Sequence, residues 1–332
     1  MFEYVQQTFS IQLKTMRWVL TGSVVILLVK FTAYFTTHSN AILSDALESI
    51  INVIAGAFAY YSLSLAAKPK DTDHPYGHGK IEFISAGFEG GLILLAGILI
   101  IVKSIGNIIH PSPIHALDTG ALLAAIAGVA NYFMGRVLIK LGKAHQSVIL
   151  IADGKHLQSD TWSSLGLIAG VVFIYFTGLT WLDNVLAIVF ACIIMFTGYQ
   201  LMRKSLAGLM DEADDQILQD VLNVLNTHRK PHWIDIHNLR ILQYGSSFHI
   251  DCHVTLPWYQ SLQTSHDALK EMEMLIAEAF EQKVELFIHP DPCIPESCSL
   301  CSLTNCDVRQ ANFKNRMEWT LENVLRNQKH QL

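Results

Sequence analysis

Six apolar stretches of roughly bilayer length lie between Trp18 and Met202, and they restrict the chain to very few folds. A helix crosses the hydrocarbon core with about 20 apolar residues. Without water in that core every backbone N–H and C=O must be satisfied internally, which a helix does within its own segment. The candidate spans run Trp18 to Phe35, Ala41 to Ala66, Phe83 to Ile109, Gly120 to Leu141, Val148 to Phe176 and Leu182 to Met202. Several contain ionisable residues, which predicts helices grouped around a polar interior rather than passive anchors. The apolar excess ends near Lys204, and the remainder reads as a soluble domain. Over all 332 residues only 16% are charged, against about a quarter in soluble proteins. The net charge of -6 argues against nucleic-acid binding, which needs a basic face.

Lys and Arg placement sets the orientation. Lys14 and Arg17, then Lys68, Lys70 and Lys80, then Lys140 and Lys143, and finally Arg203 and Lys204 fall on one side. The opposite connections, Thr37 to Asn40, His110 to Asp118 and Gly178 to Trp181, contain neither residue. Both termini are therefore expected in the cytoplasm. The N-terminal MFEYVQQTFSIQLK lacks an apolar core with a small-residue cleavage site, so the first span is expected to direct insertion into the lipid.

The soluble part follows the order αββαβ. Asp214 to His228 is an amphipathic helix, Ile234 to Tyr244 and Ser247 to Leu256 are strands joined at Gly245, Leu262 to Phe280 is a second helix, and Glu285 to His289 is a short strand. This fits a small α+β, ferredoxin- or metallochaperone-like domain. Apolar residues at Phe313, Met317, Leu321 and Val324 predict a terminal helix over Phe313 to Leu325. The expected division is residues 1–208 for cation transport, 209–292 for metal binding and dimerisation, and 293–332 for a Cys-rich extension.

Charged residues in spans default to function because burying them in lipid is costly. Asp45, Glu48 and Asn52 in the second span, and Asp153, His156 and Asp160 in the fifth, both follow i, i+3, i+7 spacing and so line one helix face each. Facing each other, they could give one cation oxygen and nitrogen ligands. Imidazole with carboxylate suits zinc and its neighbours better than calcium or magnesium. Helix-packing hydrogen bonds are the alternative reading, chiefly for Asp45 and Asp153.

The strings SNAILSDALESIIN, DTDHPYGHGKIE and ADGKHLQSD, in that order, resemble the signatures of the cation diffusion facilitator family. The six-span layout and the αββαβ domain resemble it too, over about Thr15 to Asp291. The resemblance implies a transport site of two residues four apart on each of the second and fifth spans: Glu48 and Asn52 with His156 and Asp160. The second-span pair departs from the usual His or Asp followed by Asp, which keeps Asp45 as a stand-in ligand. It also supports metal binding by Asp71, His74 and His78 in the second connection, where loop spacing alone leaves solvated histidines an equal reading. In the soluble domain it implies ligands at His237, His253, His266, His289 and Asp291, with His232 and His249 read as surface histidines. It further implies a homodimer exporting a divalent metal against protons. The ligand chemistry agrees, since His156 and the carboxylates must lose protons to bind metal. Zinc is the first choice of cargo, and iron, manganese, cobalt and nickel are compatible. The expected location is a bacterial inner membrane.

Cys293, Cys298, Cys301 and Cys306 follow C-x4-C-x2-C-x4-C. On the cytosolic side disulfides are disfavoured. Four thiolates hold zinc tetrahedrally, and they also hold iron–sulfur clusters. A soft metal such as zinc is the preferred reading over redox pairing. Cys192 and Cys252 read as small apolar residues. A membrane metal sensor and an intramembrane metalloenzyme are the competing classes. No H-E-x-x-H string or G-x-S-x-G serine supports the enzyme.

Overall fold

The computed structural model describes residues 2–37, 40–109, 117–177, 181–280 and 284–331. The chain divides into two compact units, Phe2–Met210 and Asp211–Leu332. The first is built from helices α1 (Phe2–Thr37), α2 (Asn40–Ala66), α3 (Ile81–Ile109), α4 (Leu117–His145), α5 (Val148–Thr177) and α6 (Trp181–Leu209). The shortest of these has 27 residues, which at the helical rise is about 40 Å.

Its surface is apolar and its interior is partly polar. Trp18, Leu28, Leu99, Val102, Phe133 and Phe196 are exposed, while Lys30, Glu82, Glu89, Asn131, Asp153 and His156 are buried. In water this distribution would be unstable, whereas in lipid it is the stable one. Among the described residues, Ser10–Thr32 and Ile81–Ile109 are long and apolar enough to cross a bilayer on composition alone.

Helix α3 packs along α6, α4 packs along α5, and α5 also touches α2, α3 and α6. Lipid offers no hydrophobic drive between helices, so close approach at small residues holds them together. A Cβ on Gly154 would lie 2.8 Å from the Gly135 carbonyl oxygen, and one on Gly90 would lie 2.9 Å from that of Gly198. These two glycine pairs bring α4 onto α5 and α3 onto α6. The α5 face beside Gly154 is the one that carries Asp153 and His156.

The second unit runs α7 (Asp215–Thr227), β1 (Asp235–Tyr244), β2 (Ser247–Leu256), α8 (Leu262–Ala279) and β3 (Val284–Pro292). Asp214 caps α7 by accepting from the Gln216 N–H at 3.0 Å, and Ser261 caps α8 through the Thr264 N–H at 3.1 Å. β1 and β2 form an antiparallel hairpin whose turn uses Gly245 at φ +62°. β3 returns through α8 and therefore pairs parallel to β2, giving the order β1-β2-β3. Phe248, Ile250, Cys252, Val254 and Leu256 alternate along β2 into the core with Leu218, Leu222, Met272 and Ile276 from the two helices. The opposite face of β2 carries His249, Asp251, His253 and Thr255.

The tail differs from the sequence expectation. Only α9 (Leu321–Val324) is helical, where a helix over Phe313 to Leu325 was predicted. The reason lies in partners outside the tail. Asn226 donates to the Trp319 carbonyl at 2.8 Å and accepts from the Trp319 N–H at 3.2 Å, which uses the backbone groups a helix would need. The Trp319 ring is buried in the core, with the Arg229 guanidinium 3.7 Å from its centre.

Candidate metal centres

Inside the helix bundle, α2 and α5 bring three predicted ligands into contact. Asn52 Nδ2 donates to Asp160 Oδ2 at 2.5 Å, and His156 Nε2 lies 3.0 Å from Asn52 Oδ1. His156 is buried, and Asn52 and Asp160 are half-buried. The i, i+4 spacing stacks His156 over Asp160 on α5, and Asn52 reaches between them. These two contacts join α2 to α5 at the three side chains. A divalent ion would replace these hydrogen bonds with bonds to the imidazole nitrogen, the carboxylate and the amide oxygen. Asp45 and Glu48 lie on α2, and their side chains fall outside the described residues.

Two further groups gather ligand atoms within 4.8 Å of one another. The first is Asp71, His74 and His78, in the connection from α2 to α3. Asp71 Oδ1 is 3.0 Å from His74 Nδ1 and Oδ2 is 3.3 Å from His78 Nε2. An Asx turn sets this geometry, because the His74 N–H donates to the same Asp71 oxygen at 2.7 Å. Gly77, at φ +91°, then turns the chain so that His78 comes back over the carboxylate. Desolvation acts to raise the Asp71 pKa, but hydrogen bonds from the His74 backbone and ring outweigh it and hold the carboxyl below its ordinary value.

The second group, His237, His253 and Asp291, crosses the sheet. Strand register places His237 opposite His253, and His253 opposite His289, in one row over β1, β2 and β3. Asp291, two residues beyond His289, returns to the same face. Its Oδ2 is 3.1 Å from His237 Nε2 and 3.4 Å from His253 Nδ1, while Oδ1 is 3.6 Å from His289 Nε2. Burial lowers the His237 pKa, against the opposing pull of Asp235 and Asp291, and so favours the neutral ring that a metal needs. His266 does not join this row. It is exposed on α8 and belongs to neither ligand group among the described residues. Helix α8 packs on the other face of the sheet, through Met272 and Ile276. His249 pairs with Glu285 at 3.1 Å and His232 lies 3.9 Å from Glu271.

The four C-terminal cysteines line one pocket with Tyr259 and Arg309. Burial raises the Cys293 thiol pKa, and burial with a hydrogen bond to Cys306 pushes the Tyr259 hydroxyl up to about 12. Cys252 is a core residue whose thiol burial pushes up to about 12. Cys192 is exposed on α6, contrary to its reading as a packed residue.

Two features escaped the sequence reading. Glu82, in the first turn of α3, is fully buried. It accepts from Ser147 Oγ at 2.7 Å and from the backbone N–H groups of Val148 and Ile149, so it caps α5 from another helix. Asp235 holds the chain terminus: its two carboxylate oxygens take the His330 ring at 2.6 Å and the His330 N–H at 2.9 Å. Asp235 Oδ2 also lies 3.7 Å from His237 Nδ1. At that distance Asp235 acts on the His237 ring through its charge rather than through a hydrogen bond. An acidic residue two positions before a strand histidine was the available signal.

Nitrogen and oxygen donors meeting inside a lipid-clad helix bundle define an integral membrane protein that handles metal cations. Residues 17–210 match the family model of the cation efflux transmembrane domain, and residues 213–293 match that of the cation efflux protein cytoplasmic domain. The chain belongs to the cation diffusion facilitator family, and it is a cation efflux transporter rather than an enzyme. It is 34% identical to an uncharacterized transporter of Synechocystis sp. over 75% of this chain and 81% of that one. It is 25% identical to the cation-efflux pump FieF of Shewanella oneidensis, covering 80% and 89% of the two chains. The manganese efflux system protein MneS of Bacillus subtilis is 27% identical over 75% and 85%.

Proposed function

We propose that this transporter moves zinc out of the cytosol in exchange for protons, with the ion held by Asn52, His156, Asp160 and an α2 carboxylate, Glu48 or Asp45. The observation that carries this reading is the contact of His156 and Asp160 with Asn52 in the bundle interior. An imidazole with carboxylates and one amide oxygen favours borderline metals such as zinc, with manganese, iron, cobalt and nickel as weaker cargo. Manganese has added weight from the Bacillus subtilis relative. Metal and protons compete for the same atoms, which makes exchange the natural coupling.

The working unit is a homodimer in a bacterial inner membrane with both termini in the cytosol. Lys and Arg placement supports the orientation. Phe287 on β3, 73% exposed, supports pairing of the soluble domains. Residues 1–208 serve transport, residues 209–292 pair the subunits, and the Asp71 and sheet groups bind the same metal on the cytosolic side. Uptake of zinc, iron, manganese, cobalt and nickel into sealed inverted vesicles tests this. Zinc is expected to move fastest. Metal that binds without entering the lumen would favour a sensor and sink the transporter mechanism.

A further inference from the structure

We infer that Cys293, Cys298, Cys301 and Cys306 form a tetrathiolate site for a single soft divalent cation, which staples the C-terminal extension onto the cytoplasmic domain. The matched family region ends at residue 293, so three of the four cysteines belong to this chain's own extension. They nevertheless converge. Strand β3 delivers Cys293, whose N–H donates to the Leu256 carbonyl at 2.8 Å. A one-turn 3-10 helix, Pro295–Ser299, carries Cys298, and the Cys301 N–H donates to the Ser297 carbonyl at 3.1 Å. Cys306 comes back over the same pocket, beside the Tyr259 hydroxyl.

The pocket suits an ion. Its cavity is about 10 Å³, the space of about one water-sized sphere. All four thiols are free, so the cysteines are not held together by disulfides. Binding M²⁺ displaces four thiol protons to solvent, leaves every sulfur in its reduced state and gives the site a net charge of minus two. Positive groups stand ready for it. The Arg309 guanidinium lines the pocket, donating to the carbonyls of Cys298 and Cys301 at 3.0 Å each and also to that of Leu303. The Gln310 N–H points at Cys298 Sγ at 3.5 Å. No three of the sulfurs lie within 4.8 Å of one another, whereas a tetrahedral zinc with bonds of about 2.3 Å needs them closer, so binding requires the cysteine segment to contract around the ion.

The site has a structural consequence. Beyond it the chain runs back over the sheet, where Lys329 Nζ donates to the Pro292 carbonyl at 2.7 Å and lies 4.0 Å from Asp291 Oδ2. Stapling the cysteines therefore holds the terminus beside the histidine row.

The test uses the full-length protein in detergent, purified reduced with zinc and dialysed against a weak chelator. Wild type and Asp160→Ala should both retain a thiolate-bound ion, which separates this site from the transport site. A Cys298→Ser, Cys301→Ser double variant should lose it. Cobalt exchange should give the sulfur-to-cobalt charge transfer of a tetrahedral thiolate site in the first two proteins and not in the third. Because the double variant could misfold, a mercurial titration of wild type is run alongside, and zinc release should track thiol blocking. Thiol blocking that releases no zinc, cobalt without sulfur charge transfer, or two disulfides in the unreduced protein would each overturn the assignment.

Discussion

The proposed transport site and the proposed sheet site share histidine and aspartate on opposite kinds of support. In the bundle, Asn52 and His156 sit on separate helices, and the residues are held by bonds to one another. On the sheet, His237, His253 and His289 sit on neighbouring strands whose backbone ladder fixes their spacing, and Asp235 lies 3.7 Å from His237 Nδ1. The first arrangement can be remade when two helices shift, and its amide ligand contributes no charge. The second is set before any ion arrives. A site for transit must release its ion, and a site for residence must keep it, and the supports differ accordingly.

The largest expected effect breaks one side of this contrast and spares the other. Asp160→Ala removes a carboxylate ligand from the bundle. Since loss of even an outer partner costs about 10- to 100-fold, transport should fall on the order of 100-fold or more. Metal binding at the sheet should be unchanged. Uptake at matched expression, with metal titration of the same preparation, checks both halves. Near-normal uptake would remove Asp160 from the site.

Asp235→Ala acts on the sheet side. It should weaken metal binding there by about 10- to 100-fold, the cost of losing a carboxylate beside a ligand histidine. Calorimetric titration in the Asp160→Ala background measures it. An unchanged affinity would mean that Asp235 serves only the terminus through His330.

These two residues also mark where the sequence was legible. The bundle site was readable because i, i+3, i+7 spacing of charged residues in an apolar span has few other causes. The sheet row was partly readable, since strand alternation put His249 and His253 on one face but could not say which helix residues approach. His266 lies on α8, which covers the opposite face of the same chain's sheet. The burial of Glu82 was not legible because its partner, the start of α5, is remote in sequence. The tail was misread because Asn226 and Arg229 claim its backbone, and no local pattern reports that.

Asn52→Asp sharpens the transit side. A charged oxygen in place of a neutral one should tighten every divalent ion, and harder ions more, so manganese should gain on zinc by a few-fold, about 1 kcal/mol. Turnover should fall as release slows. Uptake of both metals by both proteins gives the ratio, and a constant ratio would place Asn52 outside the ligand set.

The smallest effect concerns the terminus. Asp235 raises the His330 pKa by its hydrogen bond, with burial opposing. The protonated ring is thus favoured in the folded state, and its contribution is complete below about pH 6.5 and fades as pH rises through the raised value. Residues after Val324 should become more open to proteolysis over that rise, and His330→Gln should flatten the response. Lys329→Ala, which frees Asp291 from a nearby ammonium, should raise sheet-site affinity by about 2- to 5-fold at most, the scale of a surface ion pair. A decrease would assign Lys329 a supporting role instead.

The central claim is that metal and protons exchange through the α2–α5 site. The most direct measurement is zinc uptake into sealed vesicles with the lumen acidified, before and after a protonophore collapses the gradient at fixed zinc. Uptake should slow on collapse in wild type and be absent throughout in Asp160→Ala. A wild-type rate indifferent to the gradient, or an Asp160→Ala rate equal to wild type, would contradict the account.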